Sequence, residues 1–111
     1  MFEKDLKIGF LLDFYGDVLS ERKRTVLDYY YNDDLSLSEI AEELGVSRQA
    51  VRELIGKASD ELRFLEDKLG LAARFEQTQK CAQHLLSLLD EEKTVGSEVR
   101  QAAEELAQAV R

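Results

Sequence analysis

LSLSEIAEELGVSRQAVRELIGKA, residues 35–58, decides the fold. Ser36 and Glu39 form the S-x-x-E pattern of a helix start, in which hydroxyl and carboxylate satisfy each other's backbone amides. Ile40 and Leu44 then repeat at helical spacing. Gly45 follows, the residue that most readily takes the left-handed conformation ending a helix. Ser47 is placed to cap a second helix, whose apolar positions are Ala50, Val51, Leu54 and Ile55. Two short helices joined by so tight a turn make a helix-turn-helix. Its helices cross steeply, so one residue of the first must be small where they touch, and Ala41 fits. Ile40, Leu44, Val46, Val51 and Leu54 are placed to fill the wedge between them.

In such a unit the second helix enters the DNA major groove, and residues near its start reach base edges. With the apolar positions turned inward, the outward residues are Ser47, Arg48, Gln49, Arg52 and Glu53. Arg can hold guanine in a fork and Gln can do the same to adenine. Ser47, Arg48, Gln49 and Arg52 are therefore the candidate base contacts, on a recognition helix spanning residues 48–58. Arg22, Lys23, Arg24 and Lys57 are the candidate phosphate contacts. Between Ser47 and Ala58 three bases stand against one acid, a local +2 in a chain of net charge −8.

That net charge argues the other way. Residues 1–19 carry −2, residues 20–60 carry −3 and residues 61–111 carry −3. No segment is basic, so the chain's general field does not attract nucleic acid, and any contact must come from the local patch.

Outside the motif, helical spacing is almost continuous and there is no proline. The expected helices cover residues 3–18, 21–31, 37–44, 48–69, 71–89 and 97–110. In the first, Leu6, Phe10, Phe14 and Val18 recur every four residues. Ser20 caps the second. The fourth carries Val51, Leu54, Ile55, Ala58, Leu62, Leu65 and Leu69, with a coiled-coil-like alternation from Ile55. Leu71, Phe75, Ala82, Leu85 and Leu89 mark the fifth helix. Val95, Val99, Ala102, Leu106 and Val110 mark the sixth, with a hinge over Asp90–Ser97. The fold class is all-α: a helix-turn-helix domain over residues 1–70 and a C-terminal helical pair over residues 71–111. The stripes of the first helix and of residues 55–69 exceed what a three-helix core covers, so a homodimer through amphipathic faces is expected, using the first helix or the C-terminal pair, which packs on the first domain or on a second subunit.

The stretch from Leu11 to Phe75 resembles the YlxM family, small helix-turn-helix proteins of Gram-positive bacteria. The resemblance rests on LLDFYGDVLSERKRTVLDYYYNDDLSLSEIAEELGVSRQAV, followed by ELRFLEDKLGLAARF. It implies a helix-turn-helix similar to region 4 of bacterial sigma factors and a link to the signal recognition particle pathway. The family often carries a Tyr-Asp pair where this chain has Arg52 and Glu53, so the groove face here is more basic. The residues after Phe75 take no part in the resemblance.

Other residues point to plain structural roles. Two of Tyr29, Tyr30 and Tyr31 are expected in the core with hydroxyls outward. Glu39, Glu42 and Glu43 read as a solvated face, and Cys81 as a small buried hydrophobe. His84 has no nucleophile or ligand partner at useful spacing, and no phosphate loop, zinc spacing or nucleophile elbow is present. No enzyme, cofactor or metal is therefore expected. No apolar run reaches the ~20 residues of a membrane span, and no signal peptide is visible, so a cytoplasmic location is expected. Two functions remain open: a dimeric DNA-binding regulator, which the motif's residues support, or, as the resemblance implies, an accessory factor that binds the protein or RNA of the signal recognition particle.

Overall fold

The structure is a computed structural model that describes residues 4–91 and 96–110. All secondary structure among these residues is helical. The helices are α1 (Leu6–Tyr15), α2 (Glu21–Leu27), α3 (Leu37–Leu44), α4 (Arg48–Leu69), α5 (Leu71–Glu91) and α6 (Ser97–Ala109). They form two compact units, residues 1–70 and 71–111.

In the first unit α4 is the common support, packing against α1, α2 and α3. Val51, Ile55, Ala58 and Leu62 line one side of α4 and are buried, together with Ile40 and Ala41 of α3 and Val26 and Leu27 of α2. Fully burying one Val, Leu or Ile contributes roughly 1.5–3 kcal/mol, so this cluster supplies most of the cohesion. The coiled-coil-like stripe of α4 fades toward its end, where Leu65 is half-buried and Leu69 exposed.

The first helix differs from its expected form. Asp5 caps it, accepting from Lys7 N at 3.0 Å, and a 3₁₀ turn over Gly16–Val18 follows Tyr15. Its buried residues are Ile8, Leu11, Leu12 and Tyr15, whereas Leu6 is 82% exposed and Val18 61%. A strict four-residue repeat drifts off the core face of a helix with 3.6 residues per turn. The set 8, 11, 12, 15 keeps the true period. Tyr15 also donates from its hydroxyl to Glu66 Oε1 at 2.6 Å, fastening α1 to α4.

α2 is capped by Ser20, which accepts from Lys23 N at 3.3 Å. It widens into a π turn over Asp28–Asn32, closed by Asp33 N donating to Asp28 O at 2.9 Å. The wider turn spreads the three tyrosines: Tyr30 is buried, while Tyr29 and Tyr31 are half-buried. Asp34 follows with a left-handed φ of 55°. Lys4 pairs with the Asp34 carboxylate and lies over the Tyr30 ring, its ammonium 4.9 Å from the centroid.

In the second unit α6 runs back along α5. Arg100 donates to Leu89 O at 2.9 Å, and Ala72, Ala82, Leu89, Ala103 and Ala107 are buried. The expected α6 stripe is displaced: Val99 and Leu106 are exposed and the alanines beside them face inward. Small side chains let two helices approach closely, so alanines take the contact. Cys81 is exposed, not buried. α5 extends to Glu91 and Gly96 precedes α6 in extended conformation, while residues 92–95 of the expected hinge, Val95 included, lie outside the described residues.

Two stability predictions follow from this geometry. The Lys4 ammonium, by hydrogen bond and then by charge, holds the Asp34 carboxyl below the usual carboxylate range. A carboxyl lowered on folding stabilises the protein above its unfolded pKa, and that contribution is lost as pH falls through the lowered folded value. Asp34→Asn should therefore lower the denaturant midpoint slightly near neutral pH and leave it almost unchanged at the acid end, flattening the acid-side fall. At Gly45, φ is 68° and a Cβ would meet nothing within 4 Å, so the cost of a side chain there is backbone strain alone. Gly45→Val should cost roughly 1–3 kcal/mol, and Gly45→Asn distinctly less, measured by chemical denaturation.

Candidate nucleic-acid interface

The turn between α3 and α4 is built by three local devices. Ser36 Oγ accepts from Glu39 N at 3.1 Å and Glu39 Oε1 accepts from Ser36 N at 3.1 Å, completing the expected capping box. Gly45 reverses the chain in the left-handed conformation, and Val46 N donates to Ala41 O at 3.0 Å, satisfying the end of α3. Ser47 Oγ accepts from Ala50 N at 3.0 Å and starts α4. The Ser47 hydroxyl proton is not used by that cap, so the group can still donate outward.

The turn fixes which side chains face out. Val51 and Ile55 are buried, which leaves Ser47, Arg48, Gln49, Arg52 and Glu53 exposed. Arg48, Gln49 and Arg52 line a single shallow hollow. Two guanidiniums and a carboxamide in one concavity, at a helix N-terminus where backbone amides point outward, suit an anionic ligand with hydrogen-bonding edges. Lys57 stands nine residues beyond Arg48, about half a turn around the helix, so it occupies the opposite flank.

The α2 bases are held differently from one another. Lys23 donates to Glu61 Oε2 at 3.1 Å, and both side chains are half-buried. Arg24 pairs with Asp17 and, at 3.7 Å, with Asp28. Arg22 is exposed and meets no acid among the described residues. Glu61 and Asp17 were invisible as partners in the sequence, because no local spacing connects residue 23 with residue 61. α3 is acidic on its outer side: Glu39, Glu42 and Glu43, with Leu35, line a second shallow hollow. Among the described residues no group of His, Cys, Asp and Glu is arranged to hold a metal, and no helix is long and apolar enough to cross a membrane.

Residues 2–103 match the UPF0122 family, described as "Putative helix-turn-helix protein, YlxM / p13 like". The chain belongs to this family. A UPF0122 protein of Bacillus mycoides (strain KBAB4) is 43% identical over 104 residues, 94% of each chain. UPF0122 proteins of Bacillus thuringiensis (strain Al Hakam) and Bacillus cereus (strain AH187) are 42% and 41% identical over the same length and share of each chain. The match extends past Phe75, where the motif resemblance stopped, so α5 and most of α6 belong to the UPF0122 pattern as well. The family description names a helix-turn-helix and no catalytic activity.

The unequal partners of Arg22 and Lys23 give a prediction. Lys23→Ala leaves the Glu61 carboxylate half-buried without its ammonium, and should cost about 1 kcal/mol of stability. Arg22→Ala should stay within about 0.5 kcal/mol of wild type. Paired urea melts separate the two.

Proposed function

We propose that this UPF0122 protein binds duplex nucleic acid, DNA in the first instance, with the N-terminal half of α4 in the major groove. The observation that carries the reading is the hollow in which Arg48, Gln49 and Arg52 come together at the start of α4, beside the capped Ser47. Arg48, Gln49 and Arg52 would meet base edges and the Ser47 hydroxyl a phosphate or base edge. Arg22 and Lys57 would meet phosphates, on α2 and on the far flank of α4. Lys23 and Arg24 are weaker candidates, since each must leave an acidic partner first.

Few bases are available, so binding is modest. A first helix that crosses the DNA backbone here carries Glu39, Glu42 and Glu43 and no base. With Arg22, Arg48, Arg52 and Lys57 as the cationic contacts, log affinity should fall against log salt with a slope no steeper than about −4 per chain. Affinity that weak at physiological salt calls for two copies on two half-sites, so the reading includes a homodimer.

A second reading is favoured by the acidic α3 and the net charge of −8. An acidic helix face suits a basic protein surface, and an accessory factor of the signal recognition particle, binding its protein or RNA, would use such a face.

Fluorescence anisotropy with duplex DNA at about 50 mM salt decides between them. Arg48→Ala and Arg52→Ala should each cost roughly 1–3 kcal/mol of affinity and leave the melting temperature almost unchanged. Arg22→Ala should instead weaken binding to all sequences alike and flatten the salt slope by about one unit. Absence of binding to DNA, with retained binding to the particle's protein or RNA, would replace the first reading by the second.

A further inference from the structure

The α5–α6 pair carries an apolar face that its own contact does not use. On α5, Cys81, Leu85 and Leu88 repeat at spacings of four and three; on α6, Val99, Ala102, Leu106 and Ala109 repeat at three, four and three. Both are heptad spacings. All seven residues are exposed and none is charged. Leu85 is 39% exposed, Leu88 47%, Val99 56% and Leu106 44%. The inward residues are mostly alanines: Ala72, Ala82, Ala103 and Ala107, with Leu89. The pair thus buries its smaller side chains and leaves its larger aliphatic ones in water.

The two exposed stripes share one face. At about 100° per residue, each lies roughly a quarter turn behind the buried stripe of its own helix. Because α6 runs antiparallel to α5, equal rotation behind the contact places both stripes on the same side of the pair. The charges bordering this face differ from helix to helix. On α5, Arg74 lies in line with Cys81 and Leu88 at the start of the face, Lys80 flanks it and Glu91 stands at its end; on α6, Glu98 and Glu105 flank it.

We propose that this face is the homodimer interface: two α5–α6 pairs pack face to face as a four-helix bundle, with α5 of one chain against α6 of its partner. Two-helix layers need a second layer to complete a core, and a two-fold arrangement lets one face serve both chains. The border charges select the pairing. α5 on α6 sets Lys80 within a turn of Glu105, with Glu98 near Glu91 at the far end, whereas α6 on α6 would set Glu98 and Glu105 against their own copies. Of the stripes singled out in the sequence, the first helix buries Ile8, Leu11, Leu12 and Tyr15 and leaves Leu6 and Val18 exposed, and residues 55–69 bury Ile55, Ala58 and Leu62 and leave Leu69 exposed.

The proposal names the interface behind the two-copy part of the reading above, and needs no DNA. Sedimentation equilibrium of the full chain should give a two-chain mass, and Leu85→Lys or Leu106→Lys should reduce it to one chain. A chain carrying Glu98→Lys and Glu105→Lys and another carrying Arg74→Glu and Lys80→Glu should each associate less well alone and recover a two-chain mass when mixed, a rescue that misfolding cannot produce. A wild-type mass of one chain overturns the proposal. So does a two-chain mass that neither lysine substitution changes, or a mixture that shows no recovery. A two-chain protein that binds no duplex DNA overturns the DNA reading and leaves this interface standing; a one-chain protein that binds DNA overturns this interface and the two-copy part of that reading, and leaves its DNA contacts standing.

Discussion

The left-handed turn at Gly45 is the constraint on which the rest depends. It stops α3 after eight residues, turns the chain within Val46 and Ser47, and sets the rotation of α4. That rotation puts Val51 and Ile55 into the core formed by α1, α2 and α3. By the same geometry it puts Arg48, Gln49 and Arg52 outside. One backbone conformation therefore determines both the packing of the first unit and the composition of its exposed basic hollow. A small shift in the start of α4 would exchange buried and exposed positions and lose both.

Most of this was legible because it is local. Capping by Ser20, Ser36 and Ser47, the glycine turn, and the break between α4 and α5 at Gly70 are each written within a few residues. The rotation of α1 was misread because a four-residue repeat resembles a helical one over three turns and drifts off it over four. The α6 stripe was misread because aliphatic size is a poor guide when the helix contact is made by alanines. Long-range pairs, such as Lys23 with Glu61 and Tyr15 with Glu66, leave no local trace at all. Of the candidate site, the α4 residues were readable from period and polarity; the differing partners of Arg22, Lys23 and Arg24 were not.

The charge distribution limits what the basic hollow can do. Ser47–Ala58 is +2 in a chain of −8, and the nearest helix in sequence carries three exposed glutamates. Attraction from a distance is therefore weak, and recognition must rest on short-range hydrogen bonds from few side chains. Such a site gains more from a second copy than from further bases, which connects the composition of α3 and α4 with the uncovered apolar face of α5 and α6.

The central claim, that the Gly45 turn presents the start of α4 to nucleic acid, is tested most directly by amide chemical-shift mapping of the labelled chain titrated with a short DNA duplex. The account predicts the largest shifts at Gly45–Glu53, with smaller ones near Arg22. Shifts confined to Glu39–Glu43, or none at any duplex concentration, would contradict it.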